Sequence, residues 1–269
     1  MARVTLTAIC LTIICYSGFA KNNCSAGAKC FVAGEFVNYQ VYYNMGLIWI
    51  NAGSLNTRVG NALVEGKFMH QLYLTGKTSG SFDSFFSVRD TLISYVDTSD
   101  LTPARAIKIC HEGKWSGTDF FTFEPLNNGW NITTSLKRKG KWGERVNYFT
   151  ENCGFDMVTS FFRLRTSINY ETLRVGDKFT IPVRLDDDEY NVYLTYKGKQ
   201  TIQLHGNGNY KSRLFELTLI QSKQFKRGDV MKLWVSDDES KIPLLVESPI
   251  AIGTIKAVYK SSKNTRSKI

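Results

Sequence analysis

A period of two runs through most of this chain and limits what it can fold into. Short runs alternate aromatic or β-branched residues with polar ones. FVNYQVYYN (Phe36 to Asn44) and LIWINAGSLNTRV (Leu47 to Val59) come first. KFMHQLYLTG, TLISYVD, RAIKICHEG, DFFTFEP, GWNITTSL, KFTIPVRL, YNVYLTYKG, RLFELTLI, MKLWVSD and IPLLVES follow. Side chains of a strand point alternately to its two faces, so each run reads as a half-buried β-strand. The separators are LNNGW, KRKGKWG, LDDDEY, YKGKQ, HGNGNY and SDDESK. Their Asn, Asp and Gly supply the positive φ angles and side-chain turns that hairpins need. Strands at roughly 8–12-residue spacing with such turns predict an antiparallel sandwich or barrel. Gly53 is expected to bend the second strand.

One segment breaks the alternation. GFDMVTSFFRLRTSINYETL (Gly154 to Leu173) sets Met157, Val158, Phe161, Phe162 and Leu164 at roughly helical spacing, with Asp156 placed to cap the start. It predicts a helix over about residues 154–170, packed against or plugging the sheet. A shorter helical turn is expected at SGSFDSFF (Ser79 to Phe86). The chain shows no internal repeat, linker or composition shift, which favours one domain over two.

The first 20 residues, MARVTLTAICLTIICYSGFA, combine Arg3, an apolar run from Val4 to Tyr16 and a small-residue Gly18-Phe19-Ala20 ending. That pattern predicts a cleavable export signal, with the product periplasmic or secreted. No cysteine follows the small residue that lipoprotein processing needs. The expected organisation is therefore a signal at 1–20, one β-rich domain at 21–260 and a basic flexible tail at 261–269. Cys24, Cys30, Cys110 and Cys153 remain as disulfide candidates, with three full pairings open. His70, His111 and His205 are too scattered in sequence to form a ligand-spaced motif, so no metal or cofactor is expected. Part of the net charge of +10 is local, in the stretch from Lys256 to the end and in LKRKGKWGER (Leu136 to Arg145). Those runs read either as solvated tips or as contacts to anionic lipid or glycan; nucleic acid is disfavoured by export.

Three stretches carry candidate chemistry. In LWVSDDESKIPLLVESPIAIG (Leu233 to Gly253), Asp237 and Asp238 sit between alternating flanks. The stretch reads as a strand-turn-strand corner, with a cation site or a catalytic acid as alternatives. LDDDEY is expected as a solvated hairpin tip. In Arg89 to Gly113, Arg89 and Asp90 either join Asp156, Arg163 and Arg165 in a buried ion-pair network or leave Arg89, Arg163 and Arg165 to bind an anion. No nucleophile, metalloprotease or phosphate-loop motif is present, and no catalytic residue is assigned.

An ordered set of short motifs supports a resemblance. Ala33-Gly34-Glu35 precedes a Tyr-rich strand, and Ala52-Gly53 lies in the next strand. Arg89-Asp90, Tyr95-Val96-Asp97 and Cys153-Gly154-Phe155-Asp156-Met157 follow. Trp234 to Asp238, Ile242-Pro243 and Glu247-Ser248-Pro249 through Gly253 close it. Together these resemble the DUF3108 family, exported proteins of Gram-negative bacteria without an established activity. The resemblance marks Gly34, Glu35, Asp90, Asp97, Asp156, Trp234, Asp237, Asp238, Pro243 and Gly253. It implies a mainly β fold: a large curved or spiral antiparallel sheet, or open barrel, with one helix on its concave face. It leaves Cys24 with Cys153 as the pairing. Family members often carry a further cysteine in the strand read here as Tyr210 to Leu214, and this chain has none there.

By fold analogy, the implied trough would hold an apolar or amphipathic ligand such as a lipid. Arg89, Arg163, Arg165 and Trp234 are the candidate ligand-binding residues, with Arg163 and Arg165 at an anionic head group. The expected role is a non-enzymatic envelope protein binding such a ligand or an envelope protein, with peripheral membrane contact. The alternatives are a hydrolase or glycan-processing enzyme using Asp237, Asp238 or Asp156, and a structural interaction module.

Overall fold

The computed structural model describes residues 29–151, 153–185, 188–218, 230–250 and 253–269. Residues 1–20, Cys24, the centre of LDDDEY and Ile252 lie outside the described residues. The elements in chain order are β1 (Phe36–Met45), β2 (Ile48–Val64), β3 (Lys67–Thr78), α1 (Gly80–Asp83), β4 (Arg89–Asp97) and β5 (Pro103–Glu112). β6 (Trp115–Leu126), β7 (Gly129–Arg138), β8 (Lys141–Thr150) and α2 (Met157–Ser167) follow. β9 (Lys178–Leu185), β10 (Asp188–Gln203), β11 (Asn209–Thr218), β12 (Val230–Ser236), β13 (Pro243–Pro249) and β14 (Thr254–Lys263) complete the chain.

All fourteen strands form one sheet in the order β8-β7-β6-β5-β4-β3-β2-β1-β14-β13-β12-β11-β10-β9, with every pairing antiparallel. The chain starts at the centre of the sheet and meanders out to one edge at β8. It crosses through α2 to the opposite edge at β9, then meanders back until β14 pairs with β1. β8 and β9 do not pair with each other, so the sheet is open. No described helix is long and apolar enough to cross a membrane.

Turn chemistry sets the registers. Glu65 and Gly66 (φ 48° and 80°) and Lys139 and Gly140 (φ 49° and 80°) put positive φ at both central residues of two-residue hairpins. That turn matches the twist of the flanking strands. Gly53 lies where the β1–β2 register shifts, between Val41 and Tyr42. A Cβ there would stand 2.0 Å from the Lys77 carbonyl oxygen, so only glycine admits the neighbouring β3 backbone. The bend expected at Gly53 falls at this register shift, where the β3 backbone approaches closely.

Helix α2 is shorter than the predicted 154–170 span, because Ile168 turns extended (φ −85°, ψ 112°). It lies over the sheet. Val158 and Phe162 pack with Cys30, Phe31, Val59, Leu72, Leu92, Val96 and Leu101. Leu164 and Ile168 pack with Leu194, Tyr196, Phe215, Leu233 and Val235. A third cluster joins Val37, Tyr39, Leu204, Leu244 and Tyr259, and a fourth joins Phe121, Phe123, Trp130 and Ile132.

Residues 261–269 are not a free tail. β14 continues to Lys263, the Ser267 amide donates to Ser240 Oγ at 2.7 Å, Arg266 donates to the Lys29 carbonyl at 2.6 Å, and Ile269 packs on the third cluster.

Candidate functional site

Asp156 accepts hydrogen bonds from the Val158 and Thr159 amides at 2.9 and 3.1 Å and from Thr159 Oγ1 at 2.6 Å. The Ser94 hydroxyl of β4 adds a fourth. It is the N-cap of α2 and ties the helix to the sheet. Burial pushes its carboxyl above the usual range, and these hydrogen bonds only partly oppose that. Arg165 makes a two-pronged ion pair with Glu35 at 2.7 and 3.1 Å and donates to the Ser240 carbonyl at 2.7 Å. Both side chains are almost wholly buried, at 3% and 1% exposed. Burial acts against the guanidinium's charge, but Glu35 outweighs it and the group stays protonated. Arg163 donates to the Asp100 carbonyl at 2.8 Å and lies over Phe155 at 4.1 Å; burial lowers it to about 10. Arg89 is at the sheet rim, paired with Asp83 of α1.

The three arginines therefore do not converge on an anion. Arg165 belongs to a buried network with Glu35, and Arg163 and Arg89 are engaged elsewhere.

The paired aspartates of the β12–β13 corner point apart. Asp237 accepts from Arg213 Nε at 2.6 Å and from Lys199 at 3.1 Å. Burial pushes it up, but the two cations prevail and hold it below the usual range. Asp238 Oδ1 accepts from the Ser240 and Lys241 amides at 2.7 and 3.2 Å and from Ser267 Oγ at 2.9 Å. Lys241, at φ 46°, donates its ammonium to the Ile168 carbonyl at 2.6 Å, where α2 ends. The corner is a turn whose side chains hold the helix terminus and the C-terminal segment.

The remaining motif residues are structural too. Gly34 takes φ 90° while its amide donates to the Val59 carbonyl, and Gly253 takes φ 83° with Asn44 O 2.6 Å from where a Cβ would sit. Asp97 pairs with Lys67 at 2.6 Å and accepts from the Ser99 amide. Asp90 accepts from the His111 amide. Trp234 Nε1 donates to Gln200 at 2.8 Å, and Pro243 opens β13.

Of the disulfide candidates, Cys30 and Cys110 are free, buried thiols. Cys30 packs into the cluster beneath α2, whereas Cys110 sits on β5 beside Asp90, so each is committed to a different part of the sheet. Cys153 is disulfide-bonded. Asp90, Cys110 and Glu112 bring one ligand atom each to within 4.8 Å of one another, the one such group among the described residues. Burial, followed by Asp90, pushes the Cys110 thiol up to about 12, so it is protonated at neutral pH.

The space beneath α2 is nearly filled. A cavity of about 20 Å³ remains among Phe161, Leu164, Ile168, Tyr170, Leu233 and Val235. Among the described residues α2 itself lies where the trough was expected, and this cavity is too small for a lipid tail. A roomier concavity lies elsewhere: an open cleft of about 670 Å³ lined by Trp49, Gln203, Leu204, His205, Gly206 and Asn207. Trp49 stacks on His205 with ring centroids 4.4 Å apart, and Tyr42 meets both edge-on. Lys256 Nζ lies 4.7 Å from the Trp49 centroid and pairs with Glu247 at 2.6 Å. Lys260 Nζ donates to the carbonyls of His205 and Gly206 and lies 5.9 Å from the Tyr42 ring centroid.

The β10–β11 turn is tied in place. Asn207 donates to the Tyr259 carbonyl at 3.2 Å and accepts from the Tyr210 hydroxyl at 2.9 Å. Of the cleft residues, sequence reasoning named only His205, and that as a metal-ligand candidate set aside. The available signal was the HGNGNY turn, which read only as a turn.

The family described as "Protein of unknown function (DUF3108)" matches residues 38–260. The chain belongs to this family. Among curated proteins nothing matches. The DUF3108 fold is similar to a solved crystal structure, a β-barrel-like protein of domain of unknown function DUF1849 from Brucella abortus. The TM-score is 0.56 at 5% identity, covering 88% of this chain and 100% of that one. At that identity the likeness concerns the fold alone. It agrees with a DUF3108 sheet that curls like a barrel without closing.

Proposed function

We propose that this DUF3108 protein is an exported, non-enzymatic component of the cell envelope that holds an anionic amphipathic ligand in the Trp49–His205 cleft. Export is supported by the charged, apolar and small-residue pattern of residues 1–20. A non-enzymatic role is supported by how the candidate acids are used. Asp156 caps a helix, Asp237 is neutralised by two cations and Asp238 holds a turn. The cleft carries the ligand reading. Its volume suits a small amphiphile, its rings offer apolar and stacking surface, and Lys260 brings a cation held by carbonyls rather than by a carboxylate. Leu47, at the tip of the adjacent β1–β2 hairpin, is 99% exposed and extends the apolar surface.

The test is titration with a fluorescent fatty acid below its micelle concentration. Wild-type protein should bind, whereas Trp49→Ala and Lys260→Glu should each weaken binding about tenfold, the scale of one lost stacking or charge contact. No binding by the wild type, or binding by both variants as tight as the wild type's, rejects the cleft.

A second reading, a protein-interaction module, is favoured by β8. Its residues from Lys141 to Asn147 are exposed on both faces, and its outer edge pairs with no described strand. That reading predicts a co-purifying partner lost on Asn147→Pro.

A further inference from the structure

We infer that the rim of the sheet formed by the β3–β4 connection and the β5–β6 and β7–β8 tips docks onto the anionic face of a phospholipid bilayer. This goes beyond the ligand cleft and does not depend on it.

In an antiparallel meander every second connection returns to the same rim. The β3–β4 connection (79–88), the β5–β6 tip (Gly113 and Lys114) and the β7–β8 tip (Lys139 and Gly140) are consecutive on one rim. They touch. The Gly113 amide donates to the Ser87 carbonyl at 2.7 Å, and a Cβ on Gly113 would lie 3.1 Å from the Phe86 ring. The Arg138 guanidinium lies 5.3 Å from the Trp115 centroid, and Lys137 lies 5.7 Å from that of Trp142.

The rim exposes large rings that a soluble surface would bury: Phe85 at 87%, Phe86 at 48%, Trp115 at 44% and Trp142 at 55%. Phenylalanine rings at the tip with tryptophans beside cations suit the bilayer interface, where a ring meets acyl chains and its polar edge meets water.

Charge selects the occupant. Lys114, Lys139 and Lys141 are exposed and form no ion pair with any described residue. The opposite rim of the same strands behaves differently. There Lys67 pairs with Asp97 and Arg105 with Glu65, so its cations are matched within the chain. One rim is thus aromatic with unmatched lysines, and the other is self-neutralised. An anionic membrane complements the first and not the second.

The experiment is flotation of the full chain with vesicles of phosphatidylcholine alone or containing about 30% phosphatidylglycerol, at low and at physiological salt. A lysine near an anionic surface is worth about a fivefold change in partition. Lys139→Glu with Lys141→Glu should therefore cut binding to the anionic vesicles by at least about 25-fold. Trp115→Ala with Trp142→Ala should weaken it at both salt concentrations. All four positions are exposed, and an unchanged thermal melt for each variant shows that the fold persists.

The inference is overturned by any of three results. One is no preference for anionic over neutral vesicles. Another is binding unaffected by the lysine reversals. The third is loss of vesicle binding equally to a soluble polyanion and unaffected by the tryptophan changes, which would mean charge adsorption without docking.

Discussion

Glu35→Gln tests how α2 is held on the sheet. Glu35 and Arg165 are 130 residues apart in sequence and are both almost fully buried, with two hydrogen bonds between them. Removing the carboxylate charge leaves a guanidinium in the interior with the Ser240 carbonyl as its strong remaining acceptor. Its Nε already has no hydrogen-bond partner. Breaking one side of such a pair costs about 3–5 kcal/mol, because the survivor's desolvation is no longer offset. For a domain of this size, each kcal/mol moves Tm by about 2–4 °C, so the melt should fall by about 6–20 °C. Urea titration monitored by circular dichroism should show a lower midpoint at unchanged slope. Arg165→Met strands the carboxylate instead and should cost a similar amount. The double variant Glu35→Leu with Arg165→Met should be more stable than either single variant, since no charge is left stranded. A loss below about 1 kcal/mol for Glu35→Gln, or single effects that simply add in the double variant, would falsify the claim that this pair clamps the helix.

Further outcomes follow from neighbouring geometry. Burial raises the Asp156 carboxyl pKa above 3.8, so its contribution is fully present below pH 3.8 and is lost as pH rises through the folded pKa. Asp156→Asn, still a good cap, should stay within about 1 kcal/mol and flatten the pH dependence of urea stability in that window. Asp97 has the opposite sign. Burial pushes it up, but Lys67 and Ser99 outweigh burial and hold it low, so its contribution is present above pH 3.8 and is lost as pH falls. Asp97→Asn should weaken the acid-side decline in the same assay. Gly53→Ala, which puts a methyl 2.0 Å from a backbone oxygen, should cost about 3 kcal/mol and speed amide exchange along β2 and β3. Cys30 and Cys110 are buried with raised pKa values, so alkylation mapped by mass spectrometry should reach them only after unfolding.

The geometry of the Trp49 cleft is not legible in the sequence. Trp49 and His205 lie in different meanders of the sheet, and their rings meet where the β10–β11 turn is tied to β14 through Asn207. Arg163 and Arg165 failed as anion ligands for a related reason. Their two-residue spacing on α2 was visible, but the Asp100 carbonyl and the Glu35 carboxylate waiting for them were not. The trough was inferred from a curved sheet with a helix upon it. The same helix, with Phe162 and Leu164 pointed inward, lies in its place.

Alternation, turn residues and the Asp156 cap are short-range signals. They act through backbone sterics and hydrogen bonds within a few residues, and they marked most of the strands, the Lys139-Gly140 hairpin and the start of α2, although YKGKQ, expected as a turn, runs within β10. The pairing of β1 with β14, the end of α2 at Ile168 and the buried Glu35–Arg165 contact are long-range. They arise when the whole sheet curls and desolvates groups far apart in the chain. Local preference carries no information about which distant carboxylate will face which guanidinium, and only the folded arrangement decides it.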